Sequence, residues 1–539
     1  MKKLFIFFGS MLLAMVLIGC SLSTVTTVTT LSTTETTSDT TTTTITTTNS
    51  SSETTTSTHP DNIVLDLYSM NDFHGGAYTS IETLSNIGGY LLNAKNNNPY
   101  SIFLSTGDIF QGTALSNYYH GRPIVDSFNE IGFSAFTLGN HEFDWGIEEV
   151  LNYSDGNQEN GEAVFPILAA NVVYIDTQEM LPNTQPYTVV EIEGLRVGII
   201  GVIGEVINSI SASRVQNIEF LDPVITVYNY AEVLRTQENC DIVIASIHGY
   251  EIDDDSAISG FTGDHYVDAV FNGHTHTSVA RTLSRAGVAM PYAQASNSSS
   301  SVLTKITLTF NYPTRTVSSA NAYVLSLSEL GTQDSSIEQI ITTYQEDTTY
   351  TTFVSEVLAT SPSYISRYDM PSWGASVIRD YMGVDIGILN SGGFRVSMDA
   401  GDITMGKLVE VYPFDNYLKT VQLDGLTIYN LYYTDGDVVF DDGVTESGGN
   451  LYINGILLVN SQLYTVAAVD YVFDKDYYPF LSGENVTQTD TLMRDLLAQD
   501  LRNCSGNFSP FNGSNFPGIL PTSYYGSQFY YDNQFQSIL

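Results

Sequence analysis

The segment Phe133-Ser-Ala-Phe-Thr-Leu-Gly-Asn-His-Glu-Phe-Asp144 runs from an apolar stretch straight into a polar cluster. The apolar half has the length and composition of a buried strand. The second half, Gly139-Asn-His-Glu-Phe-Asp144, sets an amide, an imidazole and a carboxylate at that strand's end. Such a cluster is either a hydrogen-bonded turn or a place where chemistry is done. Histidine separates the two readings, because the chain holds only 8 in 539 residues.

Working outward, the same arrangement recurs. The run 63–68 is followed by Asn71-Asp-Phe-His74, 102–104 by Gly107-Asp108, 242–247 by His248-Gly, and 269–271 by Asn272-Gly-His-Thr-His276. His74, His141, His248, His274 and His276 fall in these loops, leaving His59, His120 and His265 elsewhere. One Asp-x-His or His-x-His is explained equally well by loop hydrogen bonding, but the joint pattern is not. Further apolar runs at 164–169 and 197–203 fit sheet strands. Between the runs lie helical candidates such as 224–239, with Asp222 placed as N-cap and Pro223 at the first helical position. Strands alternating with helices predict a layered α/β fold, and in open α/β sheets ligands bind where strands end.

These loops carry what a two-metal site requires. Asp72 and His74 can reach one ion together if their segment is extended, since residues i and i+2 then point the same way. The same geometry applies to His274 and His276. Asp108 is placed to bridge two ions, with His248 and the amide oxygen of Asn140 filling the second. Mixed imidazole and carboxylate ligation suits Zn, Mn or Fe better than Mg or Ca.

On these residues the chain resembles the calcineurin-like metallophosphoesterases, specifically the secreted 5′-nucleotidase family, over roughly 62–500. The resemblance implies a four-layer αββα sandwich at 62–334, with two divalent metal ions (Zn, Mn or similar) at its strand ends. It implies the ligands Asp72, His74, Asp108, Asn140, His248, His274 and His276, and a catalytic dyad at His141 and Asp144. A histidine beside the ions can donate to the phosphoryl oxygen or leaving group, and Asp144 would accept its other N–H and fix its orientation. Asp144 also reads as the cap of a helix beginning near Trp145.

A linker helix region is expected at 335–360, where Ile337, Ile340, Ile341 and Tyr344 have helical spacing and Ser335 or Ser336 is available as cap. Beyond it, at 361–504, the resemblance implies a C-terminal α/β 5′-nucleotidase domain that binds the substrate. Asn390-Ser-Gly-Gly-Phe-Arg395 matches the family's phosphate-binding pattern, and Tyr412-Pro-Phe-Asp-Asn416 its aromatic that stacks on the base. The implied substrate residues are Arg367, Asn390, Arg395, Phe414, Tyr471 and Asp476. Arginine is apt because its planar fork meets phosphate oxygens in pairs. Two departures stand out. Arg367 is stretched from its glycine, Gly374, and the loop Asp470-Tyr-Val-Phe-Asp-Lys-Asp-Tyr477 lacks the family's glycines and is one residue short.

The rest of the composition bounds the setting. With 19 Lys+Arg against 60 Asp+Glu the net charge is -41, which opposes any sequence-independent grip on nucleic acid. Residues 1–19 have the charged start and apolar middle of a secretory signal, and Leu17-Ile-Gly-Cys20 resembles a bacterial lipobox, implying lipidation of Cys20. Residues 20–61, almost all Thr and Ser in their middle, read as a disordered stalk holding the folded part off the membrane. The chain is thus expected on the extracellular face of the cell membrane. Cys240 and Cys504 remain as a single candidate bridge or as two buried thiols, and 505–539 has no readable periodicity. The function read from all this is hydrolysis of nucleoside 5′-monophosphates. Its rivals are a cyclic-nucleotide phosphodiesterase or UDP-sugar hydrolase on the same ions, and a catalytically silent surface binding protein.

Overall fold

The computed structural model describes residues 60–159, 161–434 and 436–516. The expected signal segment, Cys20, the Thr/Ser stretch up to residue 59 and the tail after residue 516 lie outside the described residues. Within them no helix is long and apolar enough to cross a membrane.

The apolar runs form strands β1 (Asn62–Met70), β2 (Ser101–Thr106), β3 (Ala135–Thr137), β4 (Ile167–Leu168), β5 (Tyr187–Ile192), β6 (Leu195–Ile203), β7 (Ile242–His248), β8 (Ala269–Asn272), β9 (Val279–Leu283), β10 (Met290–Gln294), β11 (Leu303–Asn311) and β12 (Thr316–Leu325). They pair into two sheets of six, ordered β12-β11-β1-β2-β3-β4 and β9-β10-β8-β7-β6-β5. In the first sheet β1 to β4 run parallel, and in the second β6, β7, β8 and β10 do. The loops singled out in the sequence therefore all leave the carboxyl ends of parallel strands.

Ile63, Leu65 and Leu67 of β1 share one core with Ile242 and Ile244 of β7, so the sheets pack face to face. On the outer face of the first sheet, Leu84, Ile87 and Leu91 of α1 (Thr83–Asn97) and Ile124, Phe128 and Ile131 of α2 (Arg122–Ile131) are buried. On the outer face of the second, Val243, Ala245 and Ile247 meet Val227, Ala231 and Leu234 of α3 (Pro223–Thr236). This is the expected αββα order. Strands covered on both faces read as continuous apolar runs rather than as alternation. Asp222 caps α3 as expected, its carboxylate accepting from the Ile225 amide at 2.8 Å.

Helix α4 (Ser335–Gln345) occupies the predicted segment, but its cap is Asp334, not Ser335 or Ser336. The Asp334 carboxylate accepts from the Ser336 amide at 2.9 Å and is the stronger acceptor. Ile337 and Ile341 are fully buried in the same core as α1 and α2. Gly88 of α1 permits this approach, since a Cβ there would lie 2.8 Å from Ile337 Cγ1.

The C-terminal sheet joins β13 (Ile386–Asn390), β14 (Tyr417–Asp424), β15 (Val438–Phe440), β16 (Leu463–Val469) and β17 (Glu484–Leu492) in the order β15-β13-β16-β14-β17. Helices α5 (Pro371–Met382) and α6 (Met493–Asn503) are tied by the Trp373 indole N–H donating to Asp500 at 2.8 Å. The segment after residue 504, which has no readable periodicity, is packed as far as Phe516. Phe508 is buried edge-on to Trp373, and Asn515 donates to Asp500. Cys240 and Cys504 are both free thiols, so no bridge links them.

The burial of α4 carries a testable consequence. Ile337→Ala should cost about 2–5 kcal/mol, a loss typical of truncating a core isoleucine. Chemical denaturation measures it, and a loss under about 1 kcal/mol would show that α4 is not part of that core.

Candidate metal centre and substrate cavity

The five loops converge. Asp72, His74 and His276 offer ligand atoms within 4.8 Å of one another, and so do Asp108, His248 and His274. Asp108 also belongs to a third such group with His74 and His141, which places it between the two clusters, as a bridging carboxylate must be. The Asn140 amide oxygen lies 3.1 Å from His248 Nε2 and 2.8 Å from His274 Nδ1, so it completes the second cluster. All seven sequence-predicted ligands are therefore brought together.

Their pairing corrects the sequence reading. His274 and His276 do not share an ion site: His276 Nε2 faces His74 Nε2 at 3.1 Å, and His274 turns to the other cluster. The backbone also departs from the expected extended form. The segments are not extended, for Asp72, His74, Asp108, His274 and His276 all adopt positive φ, between 50 and 77°. Each such non-glycine residue costs about 1–3 kcal/mol and persists only where surrounding contacts over-determine it.

Those contacts are identifiable. Asn71 donates to Asp72 at 2.5 Å while exchanging both of its amide functions with the Ala295 backbone. Glu142, buried completely, accepts from the amides of Asp108, Ile109 and Gly139 at 2.8, 2.9 and 2.7 Å. It thus clamps the Asp108 loop to the Asn140 loop. A Cβ on Gly139 would lie 2.3 Å from Asp108 Oδ1, so only glycine lets the two loops touch. Glu142 has no role in the sequence reading, although its place between His141 and Asp144 was the available signal.

The electrostatics suit cations. Burial, aided by His141, holds the His74 imidazole well below its ordinary value, and burial holds His274 and His276 down to about 4. All three are kept neutral with lone pairs available, the state in which imidazole binds metal. Burial pushes the Asp108 carboxyl up, but His248, His141 and His74 together outweigh it and leave it well below the usual range. His248 responds in kind: burial lowers it, while Asp108 at 3.2 Å drives it up to about 9. Four imidazoles, two carboxylates and an amide oxygen around two foci fit a pair of divalent ions with nitrogen affinity.

His141 Nδ1 meets Asp144 at 2.7 Å, which leaves Nε2 for the cavity beside the ions. Asp144 does not cap the start of the following helix, which begins at Ile147 after Gly146. Burial acts to lower His141, yet Asp144 and Asp108 raise it overall.

A cavity of about 460 Å³ opens over this centre, lined by Asn140, His141, Asp144 and His274 on one wall and by Arg367, Asn390, Arg395, Phe414 and Tyr471 on the other. Five of the six expected substrate residues line it. Asp476 does not: residues Asp470–Phe473 wind into a helical turn and Lys475 is drawn onto the carbonyls of Asn208 and Ile210, which leaves Asp476 exposed. Asp415 and Asn416 line the cavity instead. Gly374 sits in α5 beneath Leu389 and Phe394, so it is a packing residue, and Arg367 reaches the cavity from the turn before that helix. Arg214 also lines the cavity from the N-terminal side, a residue that no sequence motif marked.

Comparison with known proteins finds two family models along the chain. Residues 67–278 match the family model described as calcineurin-like phosphoesterase, and 327–434 match 5′-nucleotidase, C-terminal domain. Endonuclease YhcR of Bacillus subtilis is 25% identical over 72% of this chain, which spans only 34% of that protein's length. The apyrase of Tabanus yao is 26% identical over 73% of this chain and 77% of its own. Among solved structures, a 5′-nucleotidase precursor from Thermus thermophilus superposes with a TM-score of 0.62 at 21% identity, covering 82% of this chain and 96% of that one.

Replacing Glu142 by Gln would set an NH2 group against backbone N–H donors and loosen both loops. Metal affinity of Glu142→Gln should fall about 10–100-fold in a calorimetric Zn or Mn titration, as for other groups that orient ligands. An unchanged affinity would remove the clamp from the site.

Proposed function

Since the chain belongs to the calcineurin-like phosphoesterases that carry a 5′-nucleotidase C-terminal domain, and is a metal-dependent phosphoester hydrolase with a site for two divalent ions, we propose that it hydrolyses nucleoside 5′-monophosphates to nucleoside and phosphate. One observation carries the reading: a single cavity joins the two ligand clusters to an arginine and aromatic wall. Asp72, His74 and His276 would hold one ion, Asn140, His248 and His274 the other, with Asp108 between them. When bound, the pair supplies Lewis-acid polarisation of the phosphoryl group and activation of water.

The chain's own groups do the rest. Arg395 and Arg367 bind phosphoryl oxygens and orient them. His141, fixed by Asp144, donates to the developing negative charge or the leaving oxygen. Phe414 and Tyr471 offer ring faces to a base. Phe414 lies nearly parallel to His141, with centroids 6.1 Å apart, which places a stacked base one ring away from the dyad.

A second reading, cleavage of a phosphodiester or nucleotide sugar at the same ions, has two supports. Asp476 is exposed and does not line the cavity, and Arg214 adds a third arginine to its wall. The endonuclease among the relatives is in line with it.

The reading also includes place. The lipobox-like Leu17-Ile-Gly-Cys20 and the Thr/Ser stretch after it support a lipid-anchored enzyme on the extracellular face of the membrane, acting on nucleotides outside the cell. Fatty-acid labelling of wild type and Cys20→Ser in the producing cell decides this, since unlabelled wild type would end the anchored reading.

A substrate panel of AMP, a 2′,3′-cyclic nucleotide and a UDP-sugar, with and without chelator, tests the chemistry. AMP should be the preferred substrate, chelation should abolish its hydrolysis, and His141→Ala should lower kcat by about 10²- to 10⁴-fold. Hydrolysis that survives chelation would rule out the two-ion mechanism; a preference for the cyclic nucleotide or UDP-sugar would establish the second reading.

A further inference from the structure

Tyr78 stands at the centre of the cavity's metal side without a role in anything above. It comes four residues after His74 and lines the main cavity together with His276 and Arg395. It lines a smaller adjoining cavity with His74 and Gln111 as well. Its ring packs edge-to-face on His74 and His276, with centroids 5.8 and 5.4 Å away, so it covers the ligands of one ion. Its hydroxyl accepts a hydrogen bond from Arg395 Nη2 at 2.9 Å. Tyr78 is 41% exposed, a large amphipathic residue left open to the cavity.

The direction of that hydrogen bond matters. A phenol has one O–H to give and lone pairs to receive. Here a guanidinium, which can only donate, occupies the receiving side, so the phenolic hydrogen is left to give. No hydrogen-bond acceptor for it exists among the described residues. The neighbouring cation polarises the O–H and strengthens it as a donor.

We propose that Tyr78 is a further substrate-binding residue. Its phenol donates directly to a phosphoryl oxygen of the substrate, beside the Arg395 fork, and the two form one anion cradle with a member from each lobe. The inference rests on the reading of the cavity as a phosphoester site, but not on the substrate being a nucleotide.

Four forms of the metal-loaded enzyme test it: wild type, Tyr78→Phe, Arg395→Ala and the double variant. Each is assayed with p-nitrophenyl phosphate, and inorganic phosphate affinity is measured by calorimetry. Tyr78→Phe keeps the ring over His74 and His276, so metal content by elemental analysis should stay at the wild-type value. Its kcat/KM should fall about tenfold, phosphate should bind several-fold more weakly, and a loss of several-fold should persist in the Arg395→Ala background. No further loss in that background would mean that Tyr78 acts only by holding Arg395, and this overturns direct donation. So would Tyr78→Phe values within twofold of wild type in both assays. Wild-type turnover of p-nitrophenyl phosphate without turnover of any nucleotide would fail the nucleotidase reading and leave this test intact.

Discussion

A carboxylate with 1% exposure must be surrounded by positive charge or be protonated, and Asp108 is the point at which this fold resolves that demand. One of its oxygens accepts from the His141 amide at 2.8 Å, and the other faces His248 at 3.2 Å. A second buried carboxylate, Glu142, lies directly beside it and binds the Asp108 amide. Two such groups repel. The pair is tolerable because Glu142 is met by three backbone N–H donors and Asp108 by imidazoles, and divalent ions at the two ligand clusters would relieve the repulsion further. Glu142 registers the strain: burial and the charge on Asp108 both raise it, while its amide donors pull it back. A site arranged in this way is stabilised by cations and strained without them.

The sandwich makes that arrangement possible. The left-handed turns that carry Asp72, Asp108 and His274 begin where parallel strands in a close-packed sheet end, within two residues of Met70, Thr106 and Asn272, and Asn140 follows β3 in right-handed backbone. His248 is itself the last residue of β7, and its Nδ1 is fixed at 2.8 Å from the Thr106 carbonyl of β2 in the opposite sheet. The same seam is stitched by the hydroxyls of Ser69, Thr106, Ser246 and Thr137, three hydrogen bonds of 2.7 to 3.0 Å between buried groups. Polar residues this close to the sandwich core tie one sheet's edge to the other, and the two clusters sit on that edge. Rigid strands supply the precision that turns alone do not.

Much of this was legible in the sequence, and the parts that were not have a common cause. Residue types and loop positions are set by chemistry and by strand length, so the layered α/β class and the meeting of the five ligand-bearing loops could be read, whereas the αββα order and the pairing of His141 with Asp144 came from the family resemblance. The division of His274 and His276 between the two ligand clusters could not, because a His-x-His spacing does not say toward which neighbouring loop each ring turns. Asp334 took the cap from the serines because a carboxylate one position earlier had the geometry to reach two amides. Asp476 was misplaced because the helical turn at Asp470–Phe473 and the pull of two carbonyls on Lys475 are tertiary effects. Arg214 and Tyr78 were missed for the same reason: neither lies in a motif, and only folding brings them to the cavity.

What distinguishes the cavity from the remainder of this acidic chain is how its cations are partnered. Only 19 residues are Lys or Arg, and three of them, Arg214, Arg367 and Arg395, line one cavity. Elsewhere many arginines are matched to carboxylates, as Arg235 is to Asp268, Arg379 to Asp441 and Arg494 to Asp415. In the cavity their hydrogen bonds go to neutral oxygens: the carbonyls of Trp145, Asp415 and Phe394, and the phenols of Tyr368 and Tyr78. Their charge therefore stays available to a ligand. With screening over about 8 Å at physiological salt, the distant negative surface hardly reaches them, whereas an anion inside the cavity feels all three at once. A protein with a charge of -41 can in this way bind a phosphate-bearing substrate, because three cations not paired with carboxylates are gathered beside the two ligand clusters.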